Sequence, residues 1–292
     1  MDFLVIPADA PAEITFLATI GDKQYSASVT PTEALAQGLI HTYTLTLSAE
    51  GMKVSTVEVT PWGEGQTGSN ELKPAPLKIK SAGKSNGVYV ITAKGELKSY
   101  ETQDNTGIGV AVITDNQRIM IEKNGTNNTD IIKAAYAADG VTNTNTEYTN
   151  FAWGMDGTDI TGIANITDET TALADFNGKA YTPLIIAAPD TDTHTDLGNI
   201  GTYCAKFNEM NGSFTDWYIP ACGQLKEIRT NKYAVNVALR NIGGYKFQDW
   251  TYWSSTECDE NSAWAVDFGN DNKAFKYTKW CNARVRFVRN IP

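Results

Sequence analysis

The residues with chemical reach crowd into the last third of the chain. Cys204, Cys222, Cys258 and Cys281 all lie there, and an even number of cysteines in one stretch suits a local disulfide framework in an oxidising compartment. Free buried thiols are the alternative. The expected pairing joins Cys204 with Cys222, a helix and the loop that follows it, and Cys258 with Cys281, which flank strands near the C-terminus. No pair is spaced as Cys-x-x-Cys, and His41 and His194 lie outside the cluster, so the pattern does not read as a zinc site. Asp267, Asn270, Asp271 and Asn272 bring oxygen ligands together around a turn; hard cations such as calcium favour that chemistry, and a solvated hairpin turn is the competing reading.

Two tryptophans stand apart from the rest. Trp250 and Trp280 sit in polar, turn-rich surroundings, Gln248-Asp249-Trp250-Thr251 and Lys279-Trp280-Cys281-Asn282, where an indole can stack on a sugar face. With Asp271, Asn272 and Glu257 they form the candidate ligand-binding set. Glu257 also has a structural reading, because it follows Ser254-Ser255-Thr256, whose hydroxyls can satisfy backbone groups at a sheet end. Trp217, Trp253 and Trp264 lie in apolar strand-like contexts and read as core.

Catalytic patterns are missing from the sequence. There is no Gly-x-Ser-x-Gly elbow, no His-Glu-x-x-His and no phosphate-cradling glycine loop. No catalytic residue is therefore assigned and no cofactor beyond calcium is expected. A glycan-directed carboxylate pair and cysteine redox chemistry remain as enzymatic alternatives to a non-enzymatic binding protein.

The positioning elements follow from periodicity. From Glu13 to Trp62 apolar residues alternate with polar ones, as in Tyr43, Leu45 and Leu47, which predicts antiparallel strands. Glycines between Gly63 and Gly68, then Lys73-Pro74-Ala75-Pro76, mark a linker near residues 68–85. Beyond it, 109–113 and 118–121 predict a hairpin, 130–138 a short helix closed by Gly140, and 142–178 a long irregular excursion. Ile200, Tyr203, Cys204 and Phe207 form a helical stripe. Helices around Leu225 and Val235 come next, and strands through Trp264, Phe275 and Val285 complete an α+β pattern.

At 292 residues with 41% hydrophobic and 20% charged residues, the chain has material for two packed domains. The expected domains are an antiparallel β module at 1–75 and an α+β domain at 85–292. A formal net charge of −10 opposes nucleic acid and anionic membranes. No apolar run reaches the ~18 residues of a transmembrane helix. A secretion or lipoprotein signal is expected upstream of Met1.

Two resemblances sharpen this picture. Asp216-Trp217-Tyr218-Ile219-Pro220-Ala221, Tyr252-Trp253-Ser254-Ser255-Thr256-Glu257, Ala263-Trp264 and Val285-Arg286-Phe287-Val288-Arg289 resemble, in order and spacing, the C-type-lectin-like family named after C-terminal domains of bacterial collagen-like proteins. That resemblance implies a C-type-lectin-like fold in a secreted or surface protein. The Glu-Pro-Asn or Gln-Pro-Asp and Trp-Asn-Asp patterns of calcium-dependent sugar-binding lectins are absent from the sequence. Tyr43-Thr44-Leu45-Thr46-Leu47, Gly51, Val54 and Thr60-Pro61-Trp62-Gly63 resemble the closing part of a fimbrillin-like domain, a β-sandwich of gut-bacterial pilus subunits.

Together the resemblances imply a pilus tip or accessory adhesin on the bacterial cell surface. It would recognise a host glycan or protein through the lectin-like domain and join other pilus subunits by strand donation. A purely structural assembly subunit is the alternative.

Overall fold

The computed structural model describes residues 13–20, 23–30, 39–48, 51–61, 77–124, 129–141, 151–154, 157–188, 197–211, 214–269 and 273–292. Its contacts divide the chain into two compact units, residues 1–71 and 72–292.

In the first unit, β1 (Ile14–Ile20) pairs antiparallel with β2 (Lys23–Val29), and β3 (Leu39–Ser48) with β4 (Gly51–Pro61). The alternation read between Tyr43 and Leu47 thus belongs to a hairpin strand, with a register irregularity at Thr42/Tyr43. The rings of Phe16 and Tyr43, 5.4 Å apart, tie the two hairpins together. Trp62 and Gly63, which carry part of the fimbrillin-like resemblance, lie outside the described residues.

The second unit opens with β5 (Gly87–Ile91), β6 (Leu97–Ser99), β7 (Gly109–Ile113) and β8 (Arg118–Glu122). Helix α1 (Thr129–Ala138) and the short strand β9 (Phe151–Ala152) follow, then α2 (Glu169–Leu173), α3 (Gly178–Ala187), β10 (Gly198–Asn199) and α4 (Ile200–Met210). The chain continues through α5 (Cys222–Thr230), α6 (Lys232–Asn241), β11 (Thr251–Asp259), β12 (Ser262–Asp267), β13 (Ala274–Thr278) and β14 (Val288–Asn290). Two antiparallel sheets organise these elements, a five-stranded one ordered β14-β8-β7-β5-β6 and a three-stranded one ordered β11-β12-β13. The architecture is α+β.

Both faces of these sheets are covered. Val110, Val112, Ile119 and Ile121 pack into one layer with Leu225 and Ile228 of α5 and Val235 and Leu239 of α6. Ala111, Ile113 and Met120 face the other layer, with Ile132 and Tyr136 of α1 and Tyr203 and Phe207 of α4. Two-sided burial explains why 109–113 reads as a continuous apolar run instead of an alternation. In β12 the same logic divides Trp264 and Val266 from Ala263 and Ala265.

Several boundaries depart from the sequence reading. Residues 77–81, placed in the linker, belong to the second unit: Ile79 is 5% exposed and Lys80 bridges Glu96. The excursion at 142–178 contains β9 and α2, and its Trp153 and Ile163 are core residues. Helix α3 was not foreseen, because Pro183 sits inside it and a proline removes a helical donor. Arg286 is 2% exposed. Its guanidinium lies 3.6 Å from the Glu122 carboxylate and donates to the Tyr245 and Glu122 carbonyls.

The structure does not support the disulfide framework and has the alternative instead, four free cysteines. Cys204 belongs to one packed layer and Cys222 to the other, so the first expected bond would join different layers of the core. In the second expected pair, the Cys258 thiol lies 3.4 Å from the Asp259 carboxylate, while Cys281 sits half-buried beside Tyr277. Burial pushes the Cys204 thiol far above its ordinary range, and pushes Cys222 and the Tyr218 hydroxyl each up to about 12.

Raised values favour the neutral forms in the folded state. Their contribution is fully present below the unfolded values of 9.0 for Cys222 and 10.0 for Tyr218 and is lost as the pH climbs towards about 12. Urea midpoints measured from pH 8 to 11 should therefore fall, and native protein at pH 7.5 should expose Cys281 to a thiol reagent well before the other three. Rapid labelling of all four would contradict the packing. Phe207 is fully buried among Tyr203, Trp217 and Phe287, so Phe207→Ala should lower the free energy of unfolding by about 3–5 kcal/mol, read from urea denaturation.

Candidate functional site

The candidate site forms where three stretches meet: the coil residues 153–154 with 157–161, the C-terminal half of α3, and the start of α4. Trp153, Ile185 and Asn199 are buried at its base, Ile160 and Leu184 are half-buried on its walls, and Thr158, Asp159 and Thr161 are exposed at its rim. The cleft encloses about 410 Å³, within the range of small-molecule sites.

An internal ion pair fixes the coil. The Lys279 ammonium donates to Glu257 Oε1 at 2.5 Å and to the Thr158 carbonyl at 2.7 Å, and it lies 5.1 Å from the Trp153 ring centroid. The Glu257 carboxylate accepts the Ile160 N–H at 3.1 Å. Both side chains are essentially inaccessible, 1% and 0% exposed. Backbone bonds reinforce the arrangement: Trp153 N–H to Lys279 O, and Ile166 N–H to Glu257 O.

Burial pushes the Glu257 carboxyl above its usual range, while Lys279 and the Ile160 N–H pull it back. A carboxyl with a raised value favours the folded state most below its unfolded value, and that contribution is lost as the pH rises through the raised one. At neutral pH, then, the carboxylate adds geometry more than stability.

The base of the cleft is equally constrained. The Trp153 indole N–H donates to the Ser254 carbonyl at 2.7 Å. Asn199 is the N-cap of α4: its Oδ1 accepts the Gly201 N–H at 2.6 Å, and its own N–H donates to Asp139 at 2.7 Å. A side-chain oxygen at this position satisfies one of the helix's orphan donors.

The residues expected to bind ligand are dispersed. Trp250 and Trp280 are 40% and 47% exposed, but the Arg284 guanidinium covers the Trp250 ring. The strand register places them at opposite ends of the three-stranded sheet, since Thr251 faces Asp267 whereas Thr278 faces Ser262. The five residue steps of β12 from Ser262 to Asp267 span roughly 16 Å. They therefore do not form one platform. Glu257, a candidate for ligand binding and also for a structural role, is enclosed in the ion pair. Asp267 uses Oδ1 to accept the Gly269 N–H at 2.7 Å, and Asn270, Asp271 and Asn272 lie outside the described residues. Among the described residues no cluster of three or more His, Cys, Asp or Glu is placed to hold a metal ion.

The expected structural roles fare better. Trp217, Trp253 and Trp264 are buried. Ser254 Oγ donates to the Trp264 carbonyl, and Thr256 Oγ1 accepts the Cys222 N–H and donates to Asp175. Sequence reasoning missed Trp153, Lys279 and Leu184 as parts of a site; the only available sign was an aromatic residue, Trp153, in an otherwise polar stretch.

No family model matches the chain, and no curated protein does. Among solved structures, a fimbrial protein from Bacteroides ovatus ATCC 8483 is similar at a TM-score of 0.38 and 16% identity, a likeness too weak to assign a fold. The match covers 97% of this chain and 58% of that one, so the chain spans well under two thirds of the fimbrial protein's length.

Removing one member of a buried pair leaves an uncompensated charge. Lys279→Met should lower stability by about 3–5 kcal/mol, and Lys279→Met with Glu257→Leu should recover part of the loss in urea denaturation. A Lys279→Met protein as stable as the parent would show that the pair does not brace the coil.

Proposed function

We propose that this chain is a non-catalytic subunit of a bacterial surface assembly, pilus-like in kind, that binds its ligand in the cleft between residues 157–161 and α3. The observation that carries the reading is the cleft's construction. A fully buried ion pair, an anchored indole and a helix-capping asparagine hold its walls, and such preorganisation lowers the cost of ordering on binding. The buried carboxylate behind the cleft, Glu257, is engaged in that scaffold through Lys279. That favours recognition over turnover.

The fimbrillin-like resemblance of residues 43–63 supports placement in a surface polymer. The first unit's hairpins form separate two-stranded sheets among the described residues, and the edge of such a sheet presents backbone groups to which another strand can add. Strand addition from a neighbouring subunit would stabilise them. The lectin-like sequence resemblance supports a recognition role for the second unit, one that does not depend on calcium.

A glycan array together with an adhesion assay on cultured epithelial cells decides between the cleft and the exposed tryptophans. Gly154 lines the cleft with ordinary backbone geometry, and a side chain there would point towards Asn199 Nδ2, 3.9 Å away. Gly154→Phe should fill the cleft and weaken binding by at least about tenfold without loss of thermal stability. Trp250→Ala should bind like the parent. The reverse outcome would move the site to the Trp250 surface.

A further inference from the structure

Resting on the cleft reading above, we infer that the cleft selects a neutral sugar bearing an acetamido group, with Asn199 Nδ2 donating to the acetamide carbonyl.

The argument starts from Asn199. Its side chain cannot be flipped, because Oδ1 is committed to the Gly201 N–H at the helix start. Only the amide NH2 remains to face the cleft. Asn199 is 8% exposed and lines the cleft, and among the described residues its Nδ2 has no hydrogen-bond partner. A ligand that closes over this donor must supply an acceptor, since burying it unmatched would carry a desolvation penalty.

The surroundings narrow the acceptor's identity. Leu184, Ala187 and Ala188 give one wall an apolar patch that suits a methyl group. Thr158, Asp159 and Thr161 supply hydroxyl and carboxylate oxygens on the other side, able to accept from hydroxyls or an amide N–H. The Asp159 carboxylate, in a chain of net charge −10, disfavours acidic sugars.

A carbonyl acceptor next to a methyl, with donors on the far side, describes an N-acetylated hexosamine. A peptide fits less well. The cleft's sides are a helix and a coil, neither of which offers a strand edge for main-chain pairing.

The test uses the full chain and three probes: methyl N-acetyl-β-glucosaminide, methyl β-glucoside and N-acetylneuraminic acid. Saturation-transfer NMR should detect the first and lose at least about tenfold in affinity for the other two. Asn199→Asp keeps an oxygen to cap α4 while exchanging the NH2 donor for an acceptor. It should melt near the parent temperature and lose binding of the acetamido sugar. Equal binding of the glucoside, or undiminished binding by Asn199→Asp, would overturn the assignment.

Gly154→Phe separates the two levels of the claim. If no probe binds but Gly154→Phe still abolishes adhesion to cells, the acetamido assignment fails and the cleft reading stands; a peptide ligand would give this pattern. If Gly154→Phe adheres like the parent, the cleft reading falls and takes this inference with it.

Discussion

The contact between Lys279 and Glu257 is the constraint on which the second unit's surface depends. Glu257 comes from β11 and Lys279 from the turn after β13, the two strands that flank β12. Joining them across the end of the sheet gives the coil 157–161 something rigid to fold onto, because the ammonium donates to the Thr158 carbonyl and the carboxylate accepts the Ile160 N–H. Desolvating two charges is unfavourable, and the pair is tolerated because nearly every valence it offers is used. Removing either member would leave a lone charge, and with it the Thr158 carbonyl or the Ile160 N–H would lose this partner.

A second polar network does similar service on the other side of α3. Asp175 accepts the Thr256 hydroxyl and the Asn177 N–H, while Thr256 in turn accepts the first N–H of α5 and the Asp175 carbonyl accepts the next. A carboxylate near a helix N-terminus is favourably placed against the helix dipole. Gly178 and Gly223 are needed there because a Cβ at either would come within 2.7 Å of backbone atoms. The turn that leads into α3 and the start of α5 are thus tied to β11 by hydrogen bonds as well as by packing.

Much of the scaffold was legible in the sequence. The stripe Ile200, Tyr203, Cys204 and Phe207 gave α4 and its buried face, and the turn residues 114–117 gave the β7–β8 hairpin. Helices that end at Gly140 and Gly243, with φ of +68° and +70°, announced their stops because glycine accepts that geometry readily. The site was far less legible. Its groups come from positions 153, 160, 184, 199, 257 and 279, and no local period links them. Charged side chains are usually exposed, and only the tertiary fold reveals that Glu257 and Lys279 are each other's buried partners. The cysteines misled for a related reason: an even count in one stretch says nothing about which core layer each thiol enters.

The central claim is that this braced cleft, and not the exposed tryptophan surface, receives the ligand. It is tested most directly by following the Trp indole and Asn side-chain amide resonances of the isotopically labelled protein while methyl N-acetyl-β-glucosaminide is added. The account predicts saturable shifts at the Asn199 NH2 and the Trp153 indole, with Trp250 and Trp280 unmoved. Shifts at Trp250 or Trp280 with Asn199 and Trp153 unchanged would contradict it.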